Sequence, residues 1–156
     1  MKEKKQIPIF FTIDDKYAPY VSCAITSIID NSSRDYEYKI YILHDGLNKE
    51  NLEKLSKLKC DGFDIIFKEM KDGMELITDR VENRLRCDYF TLTIYFRLFI
   101  PDIFPEYDKG IYIDSDVVVP GDISELYNHE LGDNFIGAST DNSIQGIPEL
   151  TKYVEE

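Results

Sequence analysis

The sequence predicts an α/β domain built on a mostly parallel sheet flanked by helices. Two observations carry that prediction. Short apolar runs alternate with amphipathic helical stretches in the order β-α-β-α-β, which implies parallel strands joined by right-handed crossovers. Acidic pairs also follow two of the apolar runs, at the strand ends where open α/β sheets take their ligands. No repeat, low-complexity tract or Pro/Gly/Ser linker divides the 156 residues, so a single domain over 1–156 is expected. At that length about 68–70% of the unfolded chain's surface can be buried, and neither disulfides nor a structural metal are needed for stability.

Each element has a local reason. Ile7 to Ile13 is a short apolar run bounded by acids, as a strand buried on both faces would be. Val21, Ala24, Ile25, Ile28 and Ile29 then fall on one helix face, with Pro19 near the start and Asn31-Ser32-Ser33 closing it. A strand from Tyr38 to His44 and a turn at Asp45-Gly46 lead to a Lys/Glu-rich helix carrying Leu52, Leu55 and Leu58. Phe63 to Phe67 reads as the third strand, and 69–90 as a loop or short helix. A helix from Thr91 to Ile100 follows, with Leu92, Tyr95, Phe96, Phe99 and Ile100 as its stripe and Pro101 as its stop. Gly110 to Ile113 is the next strand, opening into Asp114-Ser115-Asp116 and Val117-Val118-Val119. A short helix near Ile123–Tyr127, a strand at Phe135–Ser139 ending in Asp141, and an acidic tail complete the pattern.

Charge narrows the partners. With 18 Lys+Arg against 30 Asp+Glu, the net charge is −12 and the isoelectric point about 4.6. A nucleic-acid binder would carry a basic stripe for phosphates, so that class is disfavoured. The 43% hydrophobic and 31% charged residues make a globular balance rather than a disordered one. No run reaches the ~18–20 apolar residues of a membrane span. The N-terminal Lys-rich stretch runs into an apolar segment too short for a secretion signal, so it reads as the approach to the first strand. Cys23, Cys60 and Cys87 are odd in number and widely spaced. They point to a reduced, cytoplasmic setting without zinc, and each is expected as a small buried hydrophobe.

Asp114 and Asp116 lie two apart in a segment expected to be extended, so their side chains would leave one face together. Two hard carboxylates on one face suit Mg²⁺ or Mn²⁺, which accept oxygen ligands and keep positions for water and substrate phosphates. Solvated carboxylates at a strand end make the same pattern, although the apolar flanks from Ile111 to Val119 call for their neutralisation. Asp14, Asp15 and Tyr17 follow the first strand. They fit either a planar heterocycle, hydrogen-bonded and stacked, or a helix cap with a tyrosine over the core edge. Arg97, on the flank of its helix beside Thr93, suits an ion pair with Asp114 or Asp116, or a fork for a diphosphate. His44 and His129 build no nucleophile triad, and no P-loop, G-x-S-x-G or G-x-G-x-x-G occurs.

Four segments in order carry a resemblance. Phe10-Phe11-Thr12-Ile13-Asp14-Asp15-Lys16-Tyr17, Thr93-Ile94-Tyr95-Phe96-Arg97-Leu98, Ile111-Tyr112-Ile113-Asp114-Ser115-Asp116 and Leu131 to Ser139 together resemble the family 8 retaining glycosyltransferases. That family includes bacterial lipopolysaccharide galactosyl- and glucosyltransferases and glycogenin, and the similarity runs from about Ile7 to Asp141. The resemblance implies a GT-A type fold and Mn²⁺-dependent (or Mg²⁺-dependent) transfer of a hexose from UDP-glucose or UDP-galactose to a glycan or glycolipid acceptor, with retention. By position it implies that Thr12, Asp14 and Tyr17 hold the uridine, with Arg97 and Ser115 also lining the nucleotide-sugar site. Asp114 and Asp116 would bind the metal, Arg97 would sit at the sugar-phosphate side, and Asp141 would face the donor sugar. Lys16 departs from the smaller polar residue common after the acid pair.

Family members are substantially longer and supply a late histidine as a third metal ligand, which this sequence lacks. The chain is therefore expected to be the N-terminal, donor-binding part of a longer transferase, with weak metal binding and little transfer alone. Membrane association would come through the missing region, and the exposed edge left by it would favour self-association. Three rivals remain. A non-catalytic nucleotide-sugar-binding module has the same fold. A haloacid-dehalogenase-type phosphatase would use Asp114 as nucleophile, although its nucleophile strand should open the chain. A signalling receiver lacks its phosphoacceptor, since the third strand ends Phe67-Lys68-Glu69.

Overall fold

The structure, a computed structural model, describes residues 4–70 and 92–139. Its centre is a four-stranded sheet of order β3-β2-β1-β4, made of β1 (Gln6–Ile13), β2 (Glu37–His44), β3 (Phe63–Glu69) and β4 (Ile111–Tyr112). All three pairings are parallel. Connected by α1 (Ala18–Asn31) and α2 (Lys49–Ser56), the first three strands march outward from β1. The chain then returns to add β4 on the other side of β1, so the strand order reverses between β1 and β4.

β1 is the middle of this arrangement, and its sequence explains why. Ile7, Ile9, Phe11 and Ile13 point to one face and pack with Val21, Ala24, Ile25 and Ile28 of α1, Leu55 of α2, and Ile123 and Tyr127 of α4 (Ile123–Asn128). Phe10 points to the other face, into a cluster with Tyr41, Leu43, Met70, Phe96 and Phe104. A strand apolar on both faces is stable only when both are covered. The second cover comes from a 3-10 helix (Leu92–Phe99) and the single turn of α3 (Ile100–Ile103).

Four expectations need correction. Of the segment predicted as an α-helix over Thr91–Ile100, Leu92–Phe99 is a 3-10 helix and Ile100 opens α3, and Pro101 lies in the first turn of α3 instead of ending a helix. Three residues per turn put Thr93 and Phe96, both buried, on one row, and Arg97 next to that row. The predicted strand at Phe135–Ser139 is irregular, with Phe135 and Ile136 exposed, because a strand needs a partner edge and none pairs there among the described residues. Asp114-Ser115-Asp116 lies in a turn rather than an extended segment, since β4 ends at Tyr112. Cys23 and Cys60 are free and exposed: Cys23 sits off the α1 stripe and Cys60 in the turn before β3. Cys87 and most of the predicted 69–90 loop lie outside the described residues, whereas Met70 is buried.

Candidate functional site

The C-terminal ends of β1 and β4 form the crevice where the strand order reverses, the place where open α/β sheets accept ligands. β1 and β4 pair through Ile9↔Ile111 and Phe10↔Tyr112, with Ile113 N–H donating to Phe10 O at 3.1 Å. Past that point side chains make the connection. Thr12 Oγ1 lies 2.9 Å from the Tyr112 hydroxyl, which donates to Asp114 Oδ1 at 3.1 Å. Arg97 Nη2 stands 3.6 Å from the same Asp114 oxygen, and its guanidinium carbon lies 4.6 Å from the Tyr112 ring centroid. Burial pushes the Tyr112 phenol above its ordinary value, so it keeps its proton at neutral pH and remains a donor.

The structure thus brings Thr12, Arg97 and Asp114 together, and joins them through Tyr112, to which the sequence reading gave no role. Tyr112 is the register partner of Phe10, on the face that Thr12 shares, and that pairing with β1 is what brings it to the site. Asp114 and Asp116 are exposed while Ser115 between them is buried, so the turn presents its acids and withdraws its hydroxyl. Asp141 lies outside the described residues.

The loop that follows these acids is tied to the opposite face. Val119 N–H donates to Ser27 Oγ at 2.9 Å, and Asn31 Nδ2 donates to Val119 O at 3.0 Å. Asp122 Oδ1 accepts from Ser33 N at 3.1 Å and caps α4 through Ser124 N at 2.9 Å. Neutral groups of Ser27 and Asn31 in α1 therefore hold the loop that follows the acids at Val119.

At the end of β1 the two acids differ. Asp14 Oδ1 accepts from the backbone N–H groups of Lys16 at 2.9 Å and Tyr17 at 3.1 Å, capping a short 3-10 turn (Asp15–Tyr17). This is the capping arrangement that sequence left as one alternative. Tyr17 is 41% exposed, its ring 5.5 Å from that of Tyr20. Asp15 instead reaches α2, accepting from Asn48 N at 2.9 Å, Asn48 Nδ2 at 2.6 Å and Asn51 Nδ2 at 2.9 Å. Those bonds, led by the Asn48 backbone N–H, hold its carboxyl below the ordinary value. Asp45, at the end of β2, is shifted the other way, chiefly by burial and further by the nearby Asp14 and Asp15 charges.

The donor set at Asp114 and Asp116 fits a hard divalent cation. Both are exposed oxygen donors, and the Arg97 guanidinium stands 3.6 Å from Asp114. Among the described residues no group of three or more His, Cys, Asp or Glu is arranged to hold a metal. A cation here would draw its other ligands from water and from a bound diphosphate, as Mg²⁺ commonly does.

A parallel four-stranded sheet flanked by helices is the framework shared with solved GT-A type glycosyltransferases. The chain belongs to glycosyl transferase family 8, whose profile it matches over residues 8–155. General stress protein A of Bacillus subtilis (strain 168) is 26% identical over 144 residues, which is 90% of this chain and 48% of that protein. The Lipopolysaccharide 1,2-glucosyltransferase of Escherichia coli is 26% identical over 136 residues, 86% of this chain and 38% of that one. The crystal structure of galactosyltransferase LgtC with donor and acceptor sugar analogs superposes with a TM-score of 0.71 at 29% identity, covering 86% of this chain and 47% of LgtC. The chain thus spans less than half the length of each of these relatives. Membership of this family replaces the phosphatase and receiver readings, and Asp114 follows the fourth strand rather than the first.

Proposed function

We propose that the chain is the donor-binding part of a metal-dependent hexosyltransferase. In this reading it takes UDP-glucose or UDP-galactose, and the hexose passes to a glycan or glycolipid acceptor with retention. The observation that carries the reading is the joining of Thr12, Asp114 and Arg97 at the switch point of a family 8 sheet. Asp114 and Asp116 would hold Mn²⁺ or Mg²⁺, which supplies neutralisation of the diphosphate as its charge develops. Thr12, Asp14 and Tyr17 receive the uridine: the Asp14 cap fixes the turn, and the exposed Tyr17 ring offers a stacking face. Ser115, buried between the two acids, lines the nucleotide side, and Asp141 faces the donor sugar. Arg97, already paired with Asp114, is placed to share positive charge with the leaving phosphate.

Relatives named for lipopolysaccharide glucosyl transfer and galactosyl transfer support a cell-surface glycan acceptor. We place the reaction in the cytoplasm, at the membrane surface where glycolipid acceptors lie. No helix among the described residues is long and apolar enough to cross a membrane.

Titration calorimetry with UDP, with and without Mn²⁺, tests this. Metal-dependent binding that disappears in the Asp114→Asn/Asp116→Asn variant is expected. UDP binding that ignores both the metal and that variant would overturn the metal reading, and no UDP binding under any condition would overturn the donor-site reading.

A further inference from the structure

Tyr112 touches both sides of the switch point. Its hydroxyl is 2.9 Å from Thr12 Oγ1 on β1 and 3.1 Å from Asp114 Oδ1 in the turn after β4. An ionised carboxylate can only accept, so the phenol donates to Asp114 and the Thr12 hydroxyl donates to the phenol oxygen. The two hydrogen bonds therefore run in one direction, from the strand proposed to meet the uridine to the carboxylate proposed to meet the cation. Backbone pairing cannot carry this link, because β4 is two residues long and its ladder with β1 ends at Phe10 and Tyr112.

The Tyr112 ring is held in turn. It packs partly against the Phe10 cluster, and the Arg97 guanidinium covers it at 4.6 Å. The hydroxyl is thus delivered from a fixed ring instead of a mobile side chain. Carboxylates that ligate a metal are usually oriented by such outer hydrogen bonds, and losing one typically weakens the metal about 10-fold or more.

We propose that Tyr112 is a positioning residue, relaying the placement of Thr12 on β1 to Asp114 so that the nucleotide and metal sides of the crevice are set together. The proposal rests on the reading of Asp114 as a metal-binding carboxylate.

The test is Mn²⁺ binding to the purified chain without UDP, so that no effect passes through a uridine contact of Thr12, read from the electron paramagnetic resonance signal of free Mn²⁺. Tyr112→Phe removes one oxygen and keeps the ring under Arg97, and it should weaken Mn²⁺ about 10-fold. Thr12→Val should weaken it in the same direction although Thr12 touches no acid, whereas Thr12→Ser, which keeps the hydroxyl, should restore it. The Tyr112→Phe/Thr12→Val double variant should bind Mn²⁺ no more weakly than Tyr112→Phe, because both remove one relay. A purely structural tyrosine would lower the melting temperature and leave the Mn²⁺ affinity of the folded chain unchanged.

Unchanged Mn²⁺ affinity in Tyr112→Phe, with weakened affinity in Asp114→Asn, would overturn the relay and leave the metal reading intact. Unchanged affinity in Asp114→Asn would overturn both. Should Tyr112→Phe fail to fold, equal Mn²⁺ affinities of Thr12→Val and Thr12→Ser would overturn the relay.

Discussion

Asp14 and Asp15 are neighbours with different duties, and the difference lies in which backbone N–H groups each can reach. Asp14 turns back on its own chain and caps the turn leading to α1, while Asp15 crosses to Asn48 and Asn51 at the start of α2. The two acids therefore tie the end of β1 to both helices that follow it. Because Asp15 is held below its ordinary value of 3.8, its contribution to stability is present above pH 3.8 and is lost as pH falls through the lower folded value. Carboxyl-resolved NMR titration should find Asp15 below, and Asp45 above, that ordinary value. In Asn51→Ala the Asp15 midpoint should move back upward; a midpoint unmoved by the loss of that donor would contradict the assignment. The Asp14 cap is one of the alternatives the acid pair offers, whereas the duty of Asp15 is not legible from that pair, since Asn48 and Asn51 lie 33 and 36 residues away in sequence.

At the scale of elements, β1 and β4 show how much register depends on a missing side chain. Gly110 enters β4 where an added Cβ would lie 2.6 Å from Phe10 Cε2. The Phe10 ring cannot easily move aside, being stacked on Tyr41 at 5.2 Å and tilted against Phe104 at 5.0 Å. Gly110→Ala should therefore destabilise the chain by about 1–3 kcal/mol, the usual cost of overpacking. Thermal unfolding followed by circular dichroism would check it, and an unchanged midpoint would mean that β4 tolerates a shift away from β1. The 3-10 helix teaches a related lesson. Leu92 to Ile100 carries apolar residues at spacings that suit an α-helix, yet the chain winds more tightly and places Thr93 and Phe96 in one buried row. Packing against the Phe10 face decided between two periods that nine residues cannot distinguish.

The whole molecule combines a continuous sheet core with apolar side chains left outside it. Val118, Leu126, Phe135 and Ile136 are exposed, Phe135 completely at 101%. The self-association expected from sequence is tested on these side chains. Sedimentation velocity should show the weight-average coefficient rising with protein concentration, and Phe135→Ser/Ile136→Ser should reduce that rise. A single monomeric boundary at high concentration would refute it. The net charge of −12 opposes close approach of copies at low ionic strength, so added salt should strengthen the association.

The alternation of apolar runs and helical stripes determined the fold class, the order of the first three strands and the positions of α1, α2 and α4, because burial on a parallel sheet demands continuous apolar strands and single-faced helices. The ordered motifs determined the family. What only tertiary structure decided is how the site is joined: that Thr12 and Asp114, about a hundred residues apart, meet through Tyr112, that Arg97 covers that ring, and that Ser27 and Asn31 hold the loop after the acids at Val119. The physical reason is that periodicity records which face a residue buries, whereas hydrogen bonds between side chains of different strands depend on which strands become neighbours, and that is settled when β4 returns to the open edge of β1.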